Sequence, residues 1–328
     1  MAATVRLHIQ NPVERLGALR LSRERLELAL AGRGLGDRFI VSQQDGGETL
    51  SDAAADAVIL FLVSKAPLDA ARRKAKALRW VQTAYAGVEN ILDTRPDDLL
   101  VANASGVHAE KGAEFILTAA LMLTYSIPQF IEDRAAASWS PVHGPTLRTK
   151  RVTLLGLGAI GSAAAVLLQR QGCAVSAVTR SGKAKVAVDA VTDMSGIDDL
   201  LVETDILIST LPETPETNNL IDRERIGMLP RGSGIVVVGR AAVLDYDAIL
   251  DRLDDGSMGG AVLDVFPDEP IPKGDRIWST PRLIVTPHCG IDDHTTYIDR
   301  CLDIFIDNLE RDLAGKKLRN LVDPDKGY

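Results

Sequence analysis

The run Val152-Thr153-Leu154-Leu155-Gly156-Leu157-Gly158-Ala159-Ile160-Gly161 is an apolar strand ending in Gly-x-Gly-x-x-Gly, and the Ala/Leu-rich helical stretch Ser162 to Arg170 follows it. Each glycine answers a separate steric demand. Gly156 permits a tight turn, Gly158 lets the backbone approach a pyrophosphate, and Gly161 lets helix and strand pack closely. The N-terminus of that helix offers free N–H groups and a positive dipole end to phosphates. A second apolar run, Ala174 to Val178, supplies the βαβ setting without which spaced glycines are merely an ordinary turn. The stretch therefore predicts a parallel sheet that binds a dinucleotide.

The rest of the chain is consistent with that sheet. From Lys150 to about Gly290 the expected strands are Val152–Leu155, Ala174–Val178, Val186–Val188, Ile206–Thr210, Ile235–Val238, Gly260–Leu263 and Leu283–Val285, with helices between them that include Ile197–Val202 and Asp245–Leu253. Residues 1 to about 102 alternate in the same way. Val5–Ile9, Phe39–Ser42, Ala57–Val63, Leu78–Thr83 and Leu99–Ala102 read as strands, and Ser22–Ala31, with Ser22 as N-cap, and Leu68–Ala77 as helices. Ala57–Val63 is apolar without alternation, as suits a strand buried on both faces. Ala109 to Ala137 reads as a long helical stretch broken or kinked near Pro128, and the loop Ser138 to Thr149 follows. Thr295 to Ala314 is an amphipathic helix whose apolar Ile298, Leu302, Phe305, Ile306 and Leu309 return to the first domain. The expected class is α/β with two doubly wound parallel-sheet domains. One is flavodoxin-like and discontinuous (1–102 and 293–328); the other is a Rossmann dinucleotide-binding domain (103–292).

Composition narrows the partners. A net charge of −8 argues against nucleic acid or an anionic membrane surface. Met1 to Gln10 alternates like a strand and lacks the pattern of a signal peptide. The longest apolar run, Phe115 to Ile127, is too short to span a bilayer and has Glu114 at its edge. Cys173, Cys289 and Cys301 show no Cys-x-x-Cys spacing, which suits a reducing cytoplasm and offers no metal site.

The loop after the second strand of the dinucleotide unit reads the adenosine ribose, and a carboxylate there selects against a 2′-phosphate. Here that loop is Thr179-Arg180-Ser181-Gly182-Lys183, with no acid, two cations and two hydroxyls. It favours NADP(H) over NAD(H), because a guanidinium grips a phosphate bidentately. Further along, Arg240 follows Ile235-Val236-Val237-Val238-Gly239, Glu269 ends Leu263-Asp264-Val265-Phe266-Pro267-Asp268-Glu269, and His288 lies in Thr286-Pro287-His288-Cys289-Gly290. Each alone is unremarkable, but each follows a consecutive strand, so together they point at one crevice.

These motifs, with Thr210-Leu211-Pro212-x-Thr214-x-x-Thr217 and Gly239-Arg240-x-x-x-Leu244-Asp245, make the chain resemble the D-isomer-specific 2-hydroxyacid dehydrogenases. In its basic ribose loop it is most similar to their NADPH-dependent glyoxylate/hydroxypyruvate reductase branch. The resemblance implies an oxidoreductase that moves a hydride from NADPH to a small 2-keto acid, giving the D-hydroxy acid. It implies Arg240 on the substrate's carboxylate and carbonyl, His288 as proton donor and Glu269 on the far imidazole nitrogen, roles the chemistry independently wants. In the discontinuous substrate domain, Tyr85, Ala86 and Gly87 would present N–H groups to the substrate carboxylate. Around the cofactor would lie Gly156, Gly158, Ala159, Ile160, Gly161, Thr179, Arg180, Ser181, Lys183, Leu211, Pro212, Thr217, Val238, Gly239, Asp264 and Gly290. Leu211 and Pro212 would border the adenosine, and Asp264 would bond the nicotinamide carboxamide, unless it is simply a solvated strand-end acid.

The chain departs from the family pattern in places. Val237 stands where Asn is frequent and Ala241 where Gly is; Cys289 and Ile291 are also less usual, and Cys289 reads as a small apolar filler or, if exposed, a redox-sensitive thiol. These positions bear on substrate more than on reaction. The family implies a homodimer through the 109–137 segment, with Trp139 either reaching a partner or packing on its own subunit. A cofactor-sensing regulator or corepressor on the same fold, and a related oxidiser of phosphite or formate, are the alternatives.

Overall fold

The computed structural model describes residues 5–11, 19–46, 57–62, 72–88 and 95–323. In chain order these carry β1 (Val5–Asn11), α1 (Arg23–Gly32), β2 (Phe39–Asp45), β3 (Ala57–Leu62), β4 (Trp80–Thr83), β5 (Leu100–Ala102), α2 (Ala109–Thr124) and α3 (Ile127–Ala135). Next come β6 (Arg151–Leu155), α4 (Ala159–Arg170), β7 (Ala174–Val178), β8 (Ala190–Thr192), α5 (Ile197–Leu201), β9 (Ile206–Ser209) and α6 (Arg223–Met228). β10 (Gly234–Val237), α7 (Tyr246–Asp254), β11 (Gly260–Leu263), β12 (Leu283–Val285) and α8 (Tyr297–Leu313) complete the series. The chain divides into two compact units, 1–107 with 293–328, and 108–292.

In the first unit a five-stranded sheet runs in the order β2-β1-β3-β4-β5, the flavodoxin-like arrangement. Its pairings are parallel. Ser22 caps α1, its hydroxyl accepting from Arg25 N at 3.1 Å. α8 buries Ile298, Leu302, Phe305, Ile306 and Leu309 in this unit's core, where Phe305 lies 6.0 Å from Trp80. Residues 68–71 of the expected Leu68–Ala77 helix, and Val63 at the end of the expected third strand, lie outside the described residues.

The second unit holds a seven-stranded sheet in the order β12-β11-β10-β9-β6-β7-β8, again parallel throughout. Counted within the unit this is 3-2-1-4-5-6-7, the Rossmann order extended by one strand, and the order reverses between β6 and β9. β9, β10 and β11 are buried at every position, which is why their sequences are apolar without alternation.

Two local expectations are corrected, and a third is located. The third strand of this unit is Ala190–Thr192, not Val186–Val188, because its register on β7 pairs Ser176 with Ala190 and Val178 with Thr192. Val186 and Val188 instead pack half-buried against the core. The helix after the glycine turn starts at Ala159, three residues earlier than its Ala/Leu run implies. The long helical segment is broken at Tyr125–Ser126, with Ser126 left-handed at φ 53°, into α2 and α3 inclined by 61°. The expected interruption near Pro128 is thus a break, and Pro128 lies in the first turn of α3, where its missing N–H loses no bond. Among the described residues no single helix is long and apolar enough to cross a membrane.

Candidate functional site

The functional groups of the second unit lie along the carboxyl edge of its sheet. Gly156 leaves β6 at φ 94°, and a Cβ there would stand 3.0 Å from Leu211 Cδ2 and 3.1 Å from Thr210 Oγ1. That threonine hydroxyl donates to the carbonyl of Leu155 at 3.1 Å, tying the end of β9 to the turn. Gly161 is obligatory for another reason, because a Cβ would sit 2.1 Å from the Gly156 carbonyl oxygen. Gly158 has nothing within 4 Å of its missing Cβ. It is exposed at the N-cap of the twelve-residue α4, so open space lies before the first-turn amides of Ala159 and Ile160. The turn therefore fits a pyrophosphate.

Across the switch point, Gly239 lets β10 leave the sheet against β9, since a Cβ would meet Leu211 O at 2.4 Å. Leu211 and Val238 are buried in the core. The side chain of Thr217 does not face the cofactor groove as a free donor. Its hydroxyl donates to Pro212 O at 2.7 Å and accepts from Thr214 N at 2.8 Å, stapling the 212–217 loop.

The loop after β7 is closed by Thr179, whose hydroxyl accepts from Lys183 N at 3.1 Å. Arg180, Ser181 and Lys183 are exposed on it. The sequence reading missed the acid facing this loop. Glu216, from the loop after β9, is held below the usual carboxylate range by its own backbone N–H, by the Thr214 hydroxyl and by the charge of Arg180.

At the other end of the edge stand the charged and titratable groups. His288 Nδ1 lies 2.7 Å from Glu269 Oε2, and Glu269 Oε1 accepts from Phe266 N at 2.8 Å. His288 adopts φ 49° and its N–H donates to Thr286 O at 2.9 Å, a turn that swings the ring toward Glu269. With Nδ1 engaged, Nε2 is the nitrogen able to meet a ligand. Arg240 follows β10 in extended backbone, half-buried, with Nη1 donating to Gly239 O at 3.1 Å. Ala241 has no positive φ and opens a 3-10 turn, so alanine sits there without strain, and Val237 is wholly buried at the end of β10.

Asp264 is not a solvated acid. It is fully buried at the end of β11, and Oδ1 accepts from Thr286 Oγ1 at 2.5 Å, Gly290 N at 2.8 Å and Cys289 N at 3.1 Å. It thereby shapes the 286–290 turn that carries His288, and the Gly290 N–H is spent on it instead of on a cofactor. Gly290 is needed sterically, since a Cβ would lie 2.6 Å from the Phe115 ring. Asp264 Oδ2 is buried with no partner among the described residues. An unsatisfied buried acceptor is costly, so the site fits a ligand that brings a donor there, as an amide would. Cys289 is exposed, not a filler; burial, Asp264 and Asp292 push its thiol up, which keeps it protonated and unreactive.

In the first unit, the 84–88 loop follows β4. Tyr85 O accepts from Thr83 Oγ1 at 2.8 Å and Ala104 N at 2.9 Å, and Ala86 O accepts from Asn103 Nδ2 at 2.8 Å. In planar trans peptides the N–H groups of Ala86 and Gly87 point opposite to these carbonyls, away from the 103–104 backbone and side chain that hold them.

Strand order thus sets His288, Asp264 with Glu269, Arg240, Leu211, the glycine turn and the ribose loop in sequence along one edge, from β12 to β7. At about 4.8 Å per strand that edge runs roughly 24 Å, room for an elongated ligand with its reactive end at the histidine. Such a fold and edge define an oxidoreductase that uses a nicotinamide cofactor. Residues 117–290 match the model for the D-isomer specific 2-hydroxyacid dehydrogenase NAD binding domain, and the chain belongs to that family. It is 30% identical over 261 residues to glyoxylate/hydroxypyruvate reductase B of Pectobacterium carotovorum, covering 76% of this chain and 80% of the relative. To glyoxylate reductase of Aeropyrum pernix it is 30% identical over 289 residues, covering 84% and 85%. Among solved structures, a D-isomer specific 2-hydroxyacid dehydrogenase from Xanthobacter autotrophicus in complex with NADPH and MES superimposes with a TM-score of 0.81. That pair shares 27% identity, covering 98% of this chain and 99% of the other.

Proposed function

We propose that this 2-hydroxyacid dehydrogenase is an NADPH-dependent reductase of small 2-keto acids of the glyoxylate and hydroxypyruvate class, yielding the D-2-hydroxy acid. The His288–Glu269 pair, at 2.7 Å, is the observation that carries the chemistry. When bound, the reduced nicotinamide supplies the hydride to the keto carbon. Arg240 binds the substrate carboxylate and polarises the carbonyl, and in the first unit the N–H groups of Tyr85, Ala86 and Gly87 are donors suited to a carboxylate. His288 holds a proton at Nε2 and gives it to the carbonyl oxygen as charge develops there. Glu269 fixes the ring through Nδ1 and compensates the imidazolium charge. Asp264 Oδ2 is the acceptor left for the carboxamide.

The acid-free loop holding Arg180 and Lys183 supports NADPH as the donor, and the relatives named glyoxylate or hydroxypyruvate reductases support the substrate class. Three free thiols agree with a cytoplasmic setting. A homodimer is proposed through α2, α3 and the loop beyond. Leu121, Tyr125, Ile127 and Ile131 are exposed on these helices, and Trp139, 96% exposed, does not pack on its own chain.

The test is NADPH and NADH absorbance followed side by side with a keto-acid panel. Decay that favours NADPH with glyoxylate or hydroxypyruvate is expected. No turnover with any keto acid, while NADPH still binds, would instead identify a cofactor-sensing regulator.

A further inference from the structure

The peptide between Val265 and Phe266 is held from both sides. Its carbonyl accepts from the Tyr246 hydroxyl at 2.5 Å, and its N–H donates to Glu269 Oε1 at 2.8 Å. The other oxygen of that carboxylate meets His288 Nδ1 at 2.7 Å. A trans peptide is one rigid plate with carbonyl and N–H on opposite edges, so a tilt set at one edge is transmitted to the other. We infer that Tyr246, at the start of α7, is a positioning residue for the Glu269–His288 pair, acting through this single peptide.

Further observations support the assignment. Tyr246 is 7% exposed, and its ring stands edge-on to Phe266 at 6.3 Å, the residue whose N–H reaches Glu269. Burial, with the charges of Glu269 and Asp264, pushes its hydroxyl well above the usual tyrosine range, so it stays an O–H donor wherever the enzyme works. A donor on the carbonyl also polarises the amide and strengthens its N–H. Both rings border a cavity of about 490 Å³, also lined by Pro267, Asp268 and Ile271.

This inference rests on the proposed roles of His288 and Glu269, and one set of variants tests the two separately. Tyr246→Phe should lower kcat about tenfold, the worth of one well-placed hydrogen bond, while cofactor Kd stays within twofold. The downfield proton resonance of the His288–Glu269 hydrogen bond, assigned by its loss in Glu269→Ala, should move upfield or broaden. In the Glu269→Ala background, Tyr246→Phe should cost nothing further, because the group it acts through is gone. Should Tyr246→Phe fold poorly, 3-fluorotyrosine at position 246 keeps the ring and changes only the donor, and the same resonance should shift. An unmoved resonance, or an equal kcat loss in both backgrounds, overturns the inference. Full activity of Glu269→Ala would instead refute the reading of the pair itself.

Discussion

Two glycines of one motif separate stability from binding. Gly161 faces the Gly156 carbonyl at a distance no Cβ tolerates, so Gly161→Ala should destabilise the unit by about 3 kcal/mol, read as a fall in denaturation midpoint. Gly158 faces open space, so Gly158→Ala should leave that midpoint almost unchanged yet weaken cofactor binding in a fluorescence titration. These steric roles are legible in the sequence because they depend on neighbours within a few positions. The role of Asp264 is not, since Thr286 and Gly290, which shape its environment, lie 22 and 26 residues away. His288→Gln should reduce kcat by roughly 10²–10⁴-fold while NADPH still binds, as loss of a proton donor predicts. Arg180→Gln should raise KM for NADPH about tenfold or more and leave NADH unaffected, since a charge-assisted contact to the 2′-phosphate is lost. Glu216 competes for Arg180, so its removal should shift preference further toward NADPH.

At the scale of elements, the N-cap expected at Ser22 has two counterparts that only the structure shows, Asp222 and Asp245. Ser22, Asp222 and Asp245 each cap a helix by accepting from the amide three residues on. Pro128 announces the interruption but not its position at Ser126, because a proline tells where a helix cannot have an N–H, not where its predecessor stops. The entry to α8 makes a pH prediction. The carboxyl of Asp293 is held well below the usual range by the hydroxyls of Thr295 and Thr296 and the backbone N–H of Thr295. A depressed native pKa adds stability that is present above the unfolded pKa of about 4 and is lost as pH falls toward the native value. Asp293→Asn should therefore lower the urea midpoint at pH 7, and its gap from the parent should close progressively below about pH 4.

For the whole molecule, the exposed apolar residues of α2 and α3 lie at helical spacing, Leu121 with Tyr125 and Ile127 with Ile131, next to Trp139 and Val142. Single exposed apolar residues need no explanation, but a contiguous run marks an association surface. Ile131→Asp should shift the protein from dimer to monomer in sedimentation velocity while its thermal transition remains cooperative. If the parent chain sediments as a monomer at micromolar concentration, the proposed homodimer is wrong.

Strand runs, the glycine turn and the acid-free ribose loop followed from the chain's own order, because each needs only covalent neighbours to declare itself. So did the likeness to the 2-hydroxyacid dehydrogenases, which rests on short contiguous motifs. Folding alone established that Asp264 is buried with one unsatisfied oxygen, that Thr217 staples its own loop, that Glu216 faces Arg180 and that Tyr246 grips the peptide above Glu269. Those facts concern pairs drawn from different strand ends. A one-dimensional pattern records which residues stand at those ends, but not which side chains the sheet's twist and the loops between strands bring within 3 Å.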